Sequence, residues 1–375
     1  MDIYVAEPGD TVEAIAARFG VTQDAIIYVN QLIYPYPLVI GQALLITYPG
    51  EDIPARPQFS SGGYAYPFIS PWVLDQTLPF LSELLIFSYG FTPEGDLLAP
   101  PLDDQWMIGR AKAQDVRPIL TLTPLDALGR FNNNLISSVV QNEAYKENLI
   151  SQLLLTVRRK GFSGVDVDFE YIRREDRDAF TAFVSALADT LRPAGYTTSV
   201  ALAPKTSADQ TGLLYEGKDY PALGAAADSV LLMTYEWGYK FGPNMAVAPI
   251  DMVRRVVEYA VTEISPSKIR LGIPNSGYDW PLPYERGSTA ATTIGIVEAV
   301  QIAIQNGAVI RFDERSQSPY FHYVLDGIEH EVWFEDARSI RAKYDLLEEY
   351  GLSGIGVWQI MRWWRVLWLM TNEVI

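Results

Sequence analysis

The sequence predicts an α/β chain, a (β/α)8 TIM barrel carrying a small α+β insertion and preceded by a βααβ module. Three observations predict it. Apolar, β-type runs recur at 64–70, 84–91, 117–124, 164–171, 197–204, 229–238, 269–277 and 354–359, mostly separated by helical stretches. Such a barrel takes roughly 250 residues, so a chain of 375 holds one and a small module besides. The run 164–171 also sets acids at every second position, with Asp166, Asp168 and Glu170 on one face and Val165, Val167 and Phe169 on the other. Acids along a buried strand are costly unless something uses them. A doubly wound sheet would need a phosphate-cradling glycine loop after its first strand, and the sequence offers none.

Taken in order, residues 1–48 form the module. A strand over 3–6 meets Pro8-Gly9-Asp10-Thr11, after which Val12, Ile15, Ala16 and Phe19 recur at helical spacing. Asp10 with Glu13 predicts a capping box, and Gly20 a helix stop. A second helix is expected over 22–30 and a closing strand over 41–46. Residues 49–63 are rich in Pro, Gly and Ser without apolar period and read as a linker. The barrel follows over 64–375. Its rhythm breaks at 279–334, which holds one expected helix (293–306) and alternating strands, and reads as an insertion between the seventh and eighth barrel strands. His322 and His330 flank an expected Asp326-Gly327 hairpin turn, where they read as a cross-strand surface pair rather than metal ligands.

With 49% hydrophobic residues the chain can build a large core. A net charge of −17 provides no basic field for nucleic acid or an anionic membrane. There is no cysteine, which excludes disulfides and thiolate metal sites. No secretory leader pattern and no membrane-length apolar run is visible. A monomer without cofactor or metal is the expectation.

Within the barrel the acid strand points at the axis, with Asp166 deepest, Asp168 nearer the mouth and Glu170 at the rim. Stacked carboxyls cannot all ionise cheaply, so a proton shared by the aspartates and a raised Glu170 are expected. A carboxylic acid still protonated near neutrality is what glycosidic cleavage asks of its general acid. A metal-binding or purely structural acid ladder is the alternative.

The run Ser163-Gly-Val-Asp-Val-Asp-Phe-Glu170 resembles the Asp-x-x-Asp-x-Asp-x-Glu signature of glycoside hydrolase family 18, the chitinase-like hydrolases, with Ser163 in place of the first Asp. Met233-Thr-Tyr-Glu236 resembles the family's Met-x-Tyr-Asp, and Trp358 falls where the family places the tryptophan under the reacting sugar. The third strand lacks the chitinases' Ser-x-Gly-Gly, and Ser276 stands where they often carry Tyr, which points away from polymeric chitin. The resemblance implies that Glu170 protonates the leaving oxygen while the sugar's own acetamido carbonyl attacks the anomeric carbon. It further implies that Asp168 holds the acetamido N–H, Asp166 supports it and Tyr235 orients the acetamido oxygen. Trp358, Glu236, Met233, Tyr89 and Asn275 are the expected substrate-binding residues.

The module resembles a LysM domain, through Tyr4 to Thr11 and the Pro37 to Gln42 ending. That resemblance implies N-acetylglucosamine-glycan binding between the loop carrying Gly9, Asp10 and Thr11 and the loop at 33–37. Module and barrel together, with Glu236-Trp-Gly-Tyr239 and the run 330–338, resemble the spore cortex-lytic peptidoglycan hydrolases of endospore-forming bacteria. This implies N-acetylglucosaminidase action on cortex peptidoglycan, at the spore coat or cortex or in the cell wall. The acidic charge suits cortex, whose muramic lactam has lost its carboxylate, better than ordinary wall glycan. Chitin or N-glycan hydrolysis, an inactive glycan-binding barrel and a wall-anchored structural protein are the competing readings.

Overall fold

A computed structural model describes residues 1–50 and 59–373. In the N-terminal module, β1 (Asp2–Val5) pairs antiparallel with β2 (Ala43–Ile46), and α1 (Val12–Phe19) and α2 (Gln23–Asn30) lie between them in sequence. Tyr4, Val12, Ile15, Ile26, Leu44 and Ile46 make its core. The expected capping box is not the one that forms. Thr11 caps α1, its hydroxyl accepting from the Ala14 N–H at 3.1 Å. Asp10, one residue too early to reach that N–H, instead accepts from the Glu7 N–H and the Tyr4 hydroxyl, both at 2.7 Å.

The barrel runs β3 (Ser60–Ala65), α3 (Pro71–Thr77), β4 (Glu83–Phe91), a short antiparallel β5 (Leu97–Leu98), α4 (Gln105–Ala113) and β6 (Arg117–Leu122). It continues through α5 (Asn134–Val140), α6 (Glu143–Lys160), β7 (Gly164–Val167), α7 (Arg177–Leu191), β8 (Thr197–Leu202) and α8 (Tyr220–Ala226). Then come β9 (Ser229–Leu232), α9 (Ile250–Glu263) and β10 (Ile269–Pro274). After β10 the chain leaves the barrel for a five-stranded antiparallel sheet. Its strands are β11 (Gly277–Pro281), β12 (Thr292–Ile294), β13 (Arg311–Asp313), β14 (Ser318–Leu325) and β15 (Ile328–Trp333), with α10 (Ile296–Gln305) between β12 and β13. α11 (Ala337–Glu349), β16 (Gly354–Trp358) and α12 (Arg365–Glu373) complete the chain. Parallel pairing of β3 with both β16 and β4 closes the eight-stranded barrel.

Two sequence expectations shift at the edges of elements. The first barrel strand begins at Ser60, inside the stretch read as linker; residues 51–58 lie outside the described residues. Gly63 belongs to the strand because a Cβ there would sit 2.8 Å from the Ile360 side chain, a packing reason that composition cannot reveal. Thr293 opens no helix: it lies in β12, and α10 starts behind Gly295, whose N–H meets the Glu298 carboxylate at 3.0 Å. The Asp326-Gly327 turn forms as expected, both residues at positive φ. Its register pairs His322 with Glu331 and His330 with Tyr323, so the two histidines are not partners. A two-residue turn between Leu325 and Ile328 places them one step out of register.

Val165, Val167 and Phe169 pack outward into the large core between strands and helices, as the alternation predicts. At the base of the barrel, buried Glu83 receives Arg270 and, at 2.8 Å, Arg117. The module is seated directly on the barrel. The Arg365 guanidinium lies 3.7 Å from the centroid of the Tyr28 ring and donates to the Tyr28 carbonyl. Gln31 accepts from the Arg365 N–H at 2.6 Å, and the Ile310 N–H donates to the Ile40 carbonyl at 2.9 Å. Gly41, at φ 86°, makes this approach close enough that a Cβ would fall 1.7 Å from the Ile310 oxygen.

Candidate active site

Ladder pairing of β7 ends at Val167, but the Asp168 N–H still donates to the Leu122 carbonyl at 2.9 Å, which keeps the alternation running to Glu170. Asp166 is fully buried inside the barrel. Its two oxygens accept from the Ser199 hydroxyl at 2.6 Å and the Tyr64 hydroxyl at 2.9 Å. Burial raises its carboxyl above the usual range, and these two donors work against that rise. Asp168 rises further, pushed well up by burial and by the neighbouring Glu170 and Asp166. One of its buried oxygens, Oδ1, has no hydrogen-bond partner. Burial also raises Glu170, helped by Glu236 and opposed by the Lys218 ammonium. Glu170 is exposed at the mouth, yet the cleft walls crowd it enough to favour the proton. Asp168 and Glu170 together therefore hold a proton to higher pH than free carboxyls do.

A cleft of about 410 Å³ opens above these acids. Trp358 forms part of its lining, half-buried and backed edge-on by Tyr64 and Phe87 with ring centroids 5.6 and 5.0 Å away. The same side chain thus packs against the barrel interior and faces the cleft, and a half-buried indole suits the face of a sugar ring. Met233, Tyr235 and Glu236 arrive from the loop after β9; Tyr171, Leu214 and Tyr215 make another wall. Glu236 sits at φ 63° and accepts from the Tyr278 hydroxyl of the inserted sheet at 2.6 Å. Beside Trp358 lies a side pocket of about 60 Å³, lined by Glu236, Ser276, Tyr278 and Thr293 among others. The small Ser276 side chain leaves this space open.

Two expected contact residues stand elsewhere. A register shift between Ile86 and Tyr89 turns Tyr89 outward, where it packs on Phe162 and donates to Asp104 at 2.6 Å. Asn275 is buried, its amide donating to the carbonyls of Gln359 and Arg362, both at 3.0 Å, so it ties β10 to the loop after β16. Trp280 is also buried, its indole N–H on the Gly242 carbonyl at 2.9 Å. In the module, Gly9 (φ 87°) turns the chain, and Asp10 and Thr11 make the turn and cap contacts described above. Sequence reasoning missed Tyr64, Ser199, Tyr278 and Lys218. Ser199 was findable, since it lies on a predicted strand opposite Asp166. Lys218 was not, because its loop carries no periodicity. Among the described residues no cluster of three or more His, Cys, Asp or Glu could hold a metal ion, and no helix is long and apolar enough to cross a membrane.

Residues 127–362 match the family model "Glycosyl hydrolases family 18". The chain belongs to that family. Residues 4–47 match the LysM domain. Across the whole chain, this family 18 protein is 38% identical to the "Cortical fragment-lytic enzyme" of Bacillus subtilis (strain 168), covering 100% of this chain and 98% of the relative. A Bacillus anthracis protein of the same name is 34% identical, over 96% of this chain and 95% of that one. Among solved structures, the spore cortex-lytic enzyme SleL of Bacillus megaterium QM B1551 aligns with a TM-score of 0.92 at 32% identity, covering 99% of this chain and 97% of that one. The Bacillus cereus SleL structure aligns at 0.91 and 31%, covering 99% and 98%.

Proposed function

We propose that this family 18 chain is a retaining β-N-acetylglucosaminidase that cleaves spore-cortex peptidoglycan or its fragments by substrate-assisted catalysis. The carrying observation is the pairing of a raised Glu170 carboxyl with an unpartnered, buried Asp168 oxygen beside the half-buried face of Trp358. Glu170 gives its proton to the glycosidic oxygen as the bond to the anomeric carbon breaks. The acetamido oxygen of the same sugar closes onto that carbon, so no protein nucleophile is required. Asp168 accepts the acetamido N–H as positive charge develops on the ring, supplying the partner that its Oδ1 lacks. Asp166, held by Ser199 and Tyr64, keeps that carboxylate in place, and Tyr235 orients the acetamido oxygen. Water then attacks the anomeric carbon as its bond to the acetamido oxygen breaks, and gives a proton to Glu170, with retention of configuration. The names and full-length alignment of the Bacillus relatives support cortex fragments as the glycan and the spore cortex or cell wall as the place of action. LysM adds a second hold on N-acetylglucosamine-containing strands, with the loop at Gly9 to Thr11 as one side of its groove.

Glu170→Gln keeps the shape of the acid but not its proton. On purified cortex fragments it is expected to lower the release of reducing ends by at least ~10³-fold while glycan binding persists. Hydrolysis at the parent rate would overturn the assignment.

A further inference from the structure

We propose that Lys218 is a positioning residue for the acid pair, a cation built behind the carboxyls that holds down the proton affinity of both. The inference rests on the roles given above to Glu170 and Asp168. Lys218 lies in the loop between β8 and α8, and its side chain is fully buried. Its ammonium donates to the carbonyl of Phe169, the residue between the two acids, and to the Ala201 carbonyl at 3.4 Å. It also lies 5.3 Å from the centroid of the Phe180 ring on α7. Phe169 and Phe180 belong to the outer core, so the charge approaches the acid strand from behind rather than from the cleft. Both acceptors are carbonyls. A neutral residue of similar length would fill that space at lower desolvation cost, so a buried ammonium here calls for an electrostatic reason.

That reason is the acid pair. Burial lowers the Lys218 ammonium to about 8, while Asp168 and Glu170 work to keep it charged. In return it is the cation opposing the rise of both carboxyls. Other charged groups nearby are otherwise engaged. Arg177 of α7 pairs with Asp219 at 3.0 Å, and the Lys205 ammonium donates to the carbonyls of Ala208 and Lys218 at 3.2 and 3.0 Å. Glu236, from the far wall, acts on Glu170 and raises it. A glycan entering the cleft removes water from the acids but cannot reach Lys218. Its pull on them therefore strengthens as substrate binds, favouring the state in which the pair holds one proton rather than two. The same lysine holds the loop bearing Leu214 and Tyr215 against the acid strand.

The test is the pH profile of kcat on a soluble, reducing-end-labelled cortex fragment, for the full chain and for Lys218→Met and Lys218→Arg. Without the cation both carboxyls rise. The acid limb, where the pair loses its first proton, and the alkaline limb, where it loses the second, should both move to higher pH. At pH 7 kcat of Lys218→Met should fall about tenfold or more. Lys218→Arg should restore the limbs, which a purely structural loss would not allow. A folded Lys218→Met protein with unmoved limbs overturns the proposal. If that variant does not fold, the unsubstituted protein decides, because the ¹³C carboxyl shifts of Asp168 and Glu170 should show a second inflection as Lys218 loses its proton, below the ordinary lysine range. Flat shifts through that range overturn it equally. An active Glu170→Gln protein would sink the underlying reading instead, so the two failures are distinguishable.

Discussion

At the scale of single residues, the site separates three carboxyls by what surrounds each one. Asp166 meets two hydroxyls, Asp168 has one oxygen without a partner, and Glu170 faces the cleft opposite Glu236. Glu236 is the simplest handle on this arrangement, because its negative charge raises Glu170 from across the cleft. Glu236→Gln removes that push, so the Glu170 carboxyl falls and the alkaline limb of kcat moves to lower pH. The acid limb, where the pair loses its first proton, should stay closer to its parent position. Tyr278→Phe keeps the carboxyl and removes the 2.6 Å bond that aims Glu236 and partly offsets its burial-raised proton affinity. It should raise KM by roughly threefold to tenfold, about 1 kcal/mol, with kcat less affected. Initial-rate measurements over a range of pH separate the two. The acids were legible in sequence because alternation reports which way a strand side chain points, and Tyr235 and Trp358 through the resemblance to family 18. Tyr89 misled because one register shift reverses that alternation, and a shift leaves no mark in composition.

Among elements, the eight strands stood out because buried parallel strands read as near-continuous apolar runs. Their ends were less legible, since Ser60 to Gly63 look like linker and pack like strand. Gly41 makes the same point at a contact between elements. Its left-handed backbone and the Ile310 oxygen leave no room for a methyl group. Gly41→Ala should cost about 1–3 kcal/mol locally and loosen the module on the inserted sheet. Limited proteolysis should then cut near the module boundary sooner than in the parent, while activity on soluble fragments holds. Equal protease resistance would mean that the seam tolerates the change. Asn275 earns its place in the same way, by tying two carbonyls of the loop that follows Trp358, and nothing in a linear pattern distinguishes such a tie from a substrate contact.

For the whole molecule, charge sets the terms of encounter. A net −17 repels any glycan fragment that keeps its carboxylates, and salt screens that repulsion. Raising ionic strength from about 0.01 M to about 0.15 M should lower KM for carboxylate-bearing fragments and leave neutral, lactam-rich ones nearly unchanged. A fall of the same size for both would remove charge as a selector. The seated module adds a geometric term to this. A flexible tether would let LysM search a volume set by linker length. Arg365 on Tyr28, Gln31 on the Arg365 amide and Ile310 on Ile40 replace that search with a fixed bearing. Where module and cleft both grip one strand, they act like the jaws of a calliper. A glycan whose path matches the set of the jaws gains from both, and one that bends away gains from only one. For a glycan strand that is not free to turn, the orientation of the substrate as much as its chemistry would decide which bonds are offered for cleavage.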